Sequence, residues 1–186
     1  MVKSFPTLQT ERLVLRKLRQ TDAGDFFANF SDEETMRYFG MEPLTQLEQA
    51  VQTIEGRLQA FEEDRAIRWA ITFREEDRLI GTIGFHRFDR ESSRAEVGYE
   101  LNRSLWGKGV MSEALQAVLG YGFDQLNLNR IEGLVSPENV GSLRVLEKGG
   151  FTQEGILRAY MFFGGRYHDS VMFSMLKSEF EAKAKS

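Results

Sequence analysis

Apolar and polar positions along the chain keep two different periods, and the switches between them mark the elements. Residues 11–18, ERLVLRKL, alternate with Leu13, Leu15 and Lys17 on one face, which predicts a strand. Thr21 and Asp22 offer caps for a helix carrying Phe26, Phe27 and Phe30. Thr45-x-x-Glu48 has the form of a capping box, which predicts a helix from Gln46 to about Glu63 with Leu47, Val51, Ile54, Leu58 and Phe61 at helical spacing. Three strand-like runs follow, at 67–73, 79–88 and 94–101, the last alternating cleanly. The loops between them are short and polar, which predicts an antiparallel meander.

The pattern then changes. Residues 104–109 form a glycine-containing loop, and 110–126 carry Val110, Ala114, Leu115, Val118 and Leu119 at helical spacing. Residues 130–136, RIEGLVS, read as a strand, and Val140, Leu143 and Leu146 mark a short helix that Gly149 and Gly150 terminate. Two further strands, 151–163 and 168–176, flank the hairpin signal Gly164-Gly165. The unit 94–136 is a strand–helix–strand crossover, expected to be parallel and right-handed. The fold class is therefore α/β with a mixed, mostly antiparallel sheet and helices on both faces. No linker or repeat interrupts the 186 residues, so one domain spanning 1–186 is expected.

Composition narrows the chemistry. The charge is −4, which disfavours a general nucleic-acid partner while leaving room for a local basic pocket. The chain has no Cys, so disulfides, thiolate nucleophiles, thiolate zinc sites and iron–sulfur clusters are excluded. Two separated histidines, His86 and His168, supply little for a metal site, and no metal is expected. The opening residues lack the apolar core of a secretory signal, and no run approaches the roughly 20 apolar residues of a membrane span. The expectation is a soluble cytoplasmic protein with no membrane partner.

The most informative stretch is EVGYELNRSLWGKGVM, residues 96–111, where a strand runs through Trp106-Gly107-Lys108-Gly109 into a helix. A helix start presents unpaired N–H groups and partial positive charge, glycines let backbone curl around an anion, and Lys108 adds a charge. The P-loop pattern is absent, and Gly107-Lys108-Gly109 is followed by Val110, Met111 and Ser112, which fails the dinucleotide fingerprint. By itself the loop also fits a helix start with no ligand.

The segment resembles the acyl-CoA pyrophosphate loop of the GNAT N-acetyltransferase superfamily, R/Q-x-x-G-x-G/A, with Ser104 at the position of the usual Arg or Gln. Its W-G-K-G form is similar to the RimJ/RimL branch, which includes the ribosomal-protein N-terminal acetyltransferases. Other marks of that branch are T-E-R-L-x-L-R at 10–16, E-V-G-Y-E-L at 96–101, N-x-x-S from Asn139 to Ser142 before G-G-F, and G-R-Y-H-D-S-V in the closing region. The resemblance spans about residues 7–177 and implies the GNAT acyl-CoA N-acyltransferase fold. It also implies direct transfer of the acetyl group of acetyl-CoA, the cosubstrate, to an amine.

Four roles follow from the resemblance. Backbone N–H groups of Gly107, Lys108, Gly109, Val110 and Met111, beside Trp106, would hold the pyrophosphate. The strand ending at Leu101 would splay from the strand at 131–136 to admit the pantetheine arm, with an N–H near Leu101 polarising the thioester carbonyl. Asn139 would bond the arm, and Asn is also a good N-cap. Ser142 would bond the departing thiolate, because Leu146 stands where many members carry a Tyr; Tyr160 is a second donor candidate, and an ordinary first-turn serine is the plain alternative.

The base is read from alternation. Glu96, Gly98 and Glu100 share one strand face, with the two carboxylates about 13 Å apart at about 3.3 Å per residue, so they are no acid–base dyad. Glu100 is the candidate base, and an arginine-paired or substrate-attracting carboxylate is the equal alternative. His168-Asp169 suggests a base–orienter pair without a nucleophile motif, and His86 and Arg87 end a strand at the acceptor side. The acceptor is an amine: a protein N-terminus first, or a small amine such as a polyamine, amino acid or aminoglycoside. A CoA-binding module without catalysis and a nucleotide binder are the competing readings. Monomer and homodimer both remain open.

Overall fold

The computed structural model describes residues 4–183. Its strands are β1 (Leu8–Gln9), β2 (Leu13–Lys17), β3 (Ile67–Phe73), β4 (Gly81–Asp89), β5 (Arg94–Leu101), β6 (Arg130–Val135), β7 (Thr152–Phe163) and β8 (Arg166–Leu176). Its helices are α1 (Ala23–Phe30), α2 (Glu33–Met36), α3 (Leu47–Glu62), α4 (Val110–Asp124), α5 (Val140–Gly149) and α6 (Lys177–Lys183). The strands form one sheet in the order β1-β2-β3-β4-β5-β6-β8-β7. Neighbours are antiparallel except β5 and β6, the pair joined through α4. The mixed sheet with one parallel crossover is the expected architecture; β1, α2 and α6 are short additions to it.

Local chemistry accounts for the boundaries. Gly164 and Gly165 both take positive φ, +57° and +76°, the pair of left-handed residues a two-residue hairpin turn requires, so β8 starts two residues earlier than expected. Gly150, at φ +88°, stops α5. The start of α3 differs from expectation. Gln49, not Glu48, reaches back to the N–H groups of Thr45 and Gln46 at 2.8 and 2.9 Å, so the cap is Gln46 and the box lies one residue later. A Gln can close a capping box as well as a Glu, and the pattern alone does not choose the register. Asp22 stands at the N-cap of α1 but spends its carboxylate on Arg16, at 2.8 Å to both oxygens, and on the Arg19 N–H.

Each face of the sheet carries its own core. On one, Leu115, Val118, Leu119 and Phe123 of α4 pack with Trp69, Phe85, Ile131 and Phe173. On the other, Phe26 and Phe30 of α1 and Ile54 of α3 pack with Leu18, Ala70 and Leu79. Facing the second layer of helices is a track without side chains: Gly84 of β4 pairs with Gly98 of β5, and Arg68 of β3 pairs with Gly84. A Cβ on Gly84 would lie 2.0 Å from the Ile67 carbonyl oxygen, and one on Gly98 would meet the Arg68 guanidinium at 3.2 Å. The two glycines therefore let Arg68 cross the sheet toward the end of β5.

Gly84→Ala should force the β3–β4 pair apart and destabilise the protein by about 3 kcal/mol, the upper range for overpacking a tight core. Urea unfolding of the variant beside the parent checks this. An unchanged midpoint would mean that the strands separate at no cost.

Candidate functional site

The β5–β6 ladder stops after three residue pairs, the last being Glu96 with Glu132. Beyond it β5 stays with β4 as far as Leu101, while β6 stays with β8 as far as Val135. The two strands part, and a cleft of about 870 Å³ opens between them. Asn102 gives its N–H to Ile80 on the β4 side. Strand alternation therefore turns the N–H of Leu101 toward the gap.

One end of the cleft is the glycine loop. Gly107 and Gly109 take φ of +74° and +76°, and no side chain caps α4. This contrasts with α5, where Asn139 Oδ1 accepts the Ser142 N–H at 3.0 Å, and with α2, which Asp32 caps. The opening N–H groups of α4, including those of Val110 and Met111, have no partner among the described residues and face the cleft. An anionic group such as a pyrophosphate fits there. The loop is braced from outside: Glu113 accepts from the Arg12 side chain at 2.6 Å and from Thr10, and Trp106 Nε1 donates to the Leu101 carbonyl at 2.8 Å. Lys108 is exposed and does not line the cleft.

Asn139 and Ser142 line the same cleft from α5. Ser142 brings its hydroxyl within hydrogen-bond reach of the Tyr99 phenol. Its carbonyl accepts from the Tyr99 phenol at 3.3 Å, a bridge from β5 to α5; burial pushes the Tyr99 pKa above its ordinary value. Leu146 lies in the core with its tip beneath Gly133.

The other end is polar and tightly held. Glu100 is buried; Arg68 donates to its Oε2 at 2.5 Å, Thr82 to its Oε1, and Arg57 stands 3.9 Å from Oε1. Thr82 also accepts from Arg57 at 3.0 Å and from Arg68 Nε at 2.8 Å. Next along the face, Glu96 pairs with Arg87 at 3.0 Å and lies 3.6 Å from His86. Burial and the guanidinium groups of Arg68, Arg87 and Arg57 hold the His86 pKa down to about 4, and its Nδ1 is buried with no hydrogen-bond partner among the described residues.

The other sequence candidates divide, His168 and Asp169 lining the cleft and Tyr160 lying outside it. Tyr160 lies beside Arg87 in an adjoining depression lined also by Arg94 and Glu132, not in the cleft. His168 stacks on Phe163, with ring centroids 3.7 Å apart, while Asp169 accepts the Ala159 N–H at 2.8 Å. The two are no base–orienter pair, because neighbours on a strand point to opposite faces. The sequence reading missed Arg57, Arg68, Thr82 and the Tyr99 bridge. Only Arg68 left a signal there, a charge in a strand whose other residues are apolar apart from Thr72.

Comparison with known proteins matches the family model described as acetyltransferase (GNAT) domain to residues 12–152. The uncharacterized N-acetyltransferase YoaA of Bacillus subtilis is 43% identical over 173 residues, 93% of this chain and 98% of that protein. The ribosomal-protein-serine acetyltransferase of Escherichia coli is 31% identical over 124 residues, covering 67% of this chain and 68% of its own length. A crystal structure of a GNAT-family acetyltransferase from Bacillus anthracis superposes with a TM-score of 0.84 at 30% identity, over 94% of this chain and all of that one.

The His86 geometry has a consequence for stability. The unfolded chain takes up a proton near the ordinary histidine pKa of 6.5, while the folded protein refuses it down to about 4. Folding therefore loses stability as pH falls through that window. The parent should lose more stability between pH 7 and pH 4.5 than His86→Asn does, as read from urea midpoints. Parallel losses would mean that the imidazole is free to charge in the fold.

Proposed function

We propose, on the premise that the chain belongs to the GNAT acetyltransferase family and is an acetyl-CoA-dependent N-acetyltransferase, that its acceptor is a protein N-terminal α-amine. The observation that carries this reading is a cleft with two different ends: an uncapped glycine-led helix start at one, and a polar cluster whose buried carboxylate, Glu100, is already engaged by Arg68 and Thr82 at the other.

Acetyl-CoA would lie with its pyrophosphate on the N–H groups from Gly107 to Met111 and its pantetheine arm in the wedge, where Asn139 keeps its amide N–H₂ free for it. The Leu101 N–H would polarise the thioester carbonyl, a role in which a fixed backbone donor needs no reorganisation. The Ser142 hydroxyl would bond the departing sulfur.

Glu100 has two assigned alternatives, base or paired carboxylate, and its contacts support the second. Both oxygens already accept from Arg68 and Thr82. With Glu100 committed to these partners, the site best suits an amine that is partly neutral at neutral pH. An α-amine, with a pKa of about 7.7–8.0, meets this, whereas an alkylamine near 10.4 does not. The relative named ribosomal-protein-serine acetyltransferase supports the same acceptor class.

Acetyl-CoA-dependent thiol release should therefore appear with N-terminal peptides and be far weaker with polyamines. With a peptide, kcat/KM should climb with pH along the acceptor's own titration, near 8, and Glu100→Gln should keep that climb while raising the acceptor KM. Disappearance of the climb in Glu100→Gln would make Glu100 the base.

Ser142→Ala should lower kcat about tenfold or more with acetyl-CoA affinity unchanged, as for loss of a group that assists the leaving atom. An intact transfer rate would return Ser142 to the role of an ordinary first-turn residue. Gly109→Ala should weaken acetyl-CoA binding, because alanine is strained at φ +76°. Calorimetric titration with acetyl-CoA reads this directly.

A further inference from the structure

The acceptor end of the cleft buries two guanidinium groups against a single buried carboxylate. Arg87 is matched by Glu96 at 3.0 Å, and Glu34 at the rim by Arg37 at 2.8 Å. Asp169, on the opposite wall, is exposed and accepts the Ala159 N–H, with no arginine on it among the described residues. Arg57 and Arg68, only 17% and 13% exposed, share the one carboxylate of Glu100. Arg68 holds the close contact at 2.5 Å, and Arg57 is left at 3.9 Å. A guanidinium offers five N–H donors, and Arg57 places one bond, to Thr82. Its Nε and Nη2 have no partner among the described residues, and the side chain lines the cleft. The group is held firmly: its central carbon lies 4.7 and 4.9 Å from the ring centroids of Phe26 and Phe30, which stack 4.2 Å apart. Burial and the neighbouring Arg68 lower its pKa to about 9, so it stays charged at neutral pH. A buried charge without a close partner costs folding free energy, and a ligand anion would remove that cost.

We propose that Arg57, with Arg68 beside it, is an anion subsite that binds a carboxylate carried by the acceptor close to its reacting amine. The inference rests on the reading that the amine enters from this end. It adds that the preferred N-terminus has an acidic residue in its first positions. A free amino acid would present the same chemistry through its α-carboxylate, and the test separates the two sources.

The full chain is titrated calorimetrically, with and without CoA, against two matched pairs of acetylated product analogues. The first pair is an N-acetylated tripeptide amide with aspartate at its second position and the same peptide with asparagine. The second is N-acetylalanine and its amide. The charged member of the peptide pair should bind about tenfold tighter or better, the scale of a hydrogen bond to a charged group. Arg57→Gln should erase the difference while leaving the affinity for CoA unchanged, and Arg57→Lys should keep part of it. A preference confined to the alanine pair would support the subsite and assign it to free amino acids. Equal binding within both pairs, or a preference that survives Arg57→Gln, would overturn the proposal. Thiol release with the unacetylated asparagine peptide reports on the transferase reading independently: turnover there without charge preference leaves the transferase standing and removes the subsite.

Discussion

The parting of β5 from β6 is the constraint on which the rest of the molecule depends. Three residue pairs join them, and then each strand follows its other neighbour. From that point a run of backbone N–H and C=O groups on the facing edges has no ladder. Buried backbone groups are almost always paired, so such a wedge must hold water or a ligand that supplies its own amides. The crossover makes the wedge usable: α4 starts beside the end of β5, so the uncapped helix start opens onto the gap rather than onto bulk solvent. Tyr99 spans from β5 to the first turn of α5 and ties that helix to the strand.

The polar end depends on a second geometric condition, the glycine track. Any side chain at Gly84 would strike the β3 backbone, and Arg68 passes over the space that Gly84 and Gly98 leave open. Thr82 then acts as the hub, accepting from both arginines and donating to Glu100. Isolated burial of any one of these charges would be prohibitive, and even a paired buried ion rarely adds stability over an apolar replacement. The cluster is thus poorly explained by what it contributes to folding.

Much of this fold was legible because its signals are local. Alternation marked β2, β3 and β5, the spacing of Val110, Ala114, Leu115 and Val118 marked α4, and Gly107, Gly109, Gly164 and Gly165 stand where positive φ is required. The wedge could be expected only through family resemblance, since nothing in RAEVGYEL says where its parallel partner leaves it. The partners of Glu100 were not legible at all: Arg68 lies 32 positions away, and Arg57 arrives on a helix from another layer. Sequence showed a carboxylate facing inward; only tertiary packing shows that it is already engaged. The pair His168-Asp169 failed for the opposite reason, since adjacency along a strand separates side chains instead of joining them.

Net charge misleads in the same way. The chain carries −4 overall, which suggests an acidic surface drawing in cationic substrates. Solvent and salt screen that surface charge beyond roughly 8–10 Å, whereas groups enclosed in a cleft act on a ligand at a few ångströms through a weaker dielectric. There the guanidinium groups of Arg57 and Arg68 are buried against the single carboxylate of Glu100, Arg87 is paired with Glu96, and Asp169 stands exposed on the opposite wall. A polycation entering this end would meet the repulsion of Arg57 and Arg68, offset in part by Asp169 on the opposite wall. An amine close to neutrality meets no such penalty, and one that also carries a negative group would gain from the same arrangement. The local arrangement, and not the overall charge, is therefore what an approaching acceptor meets.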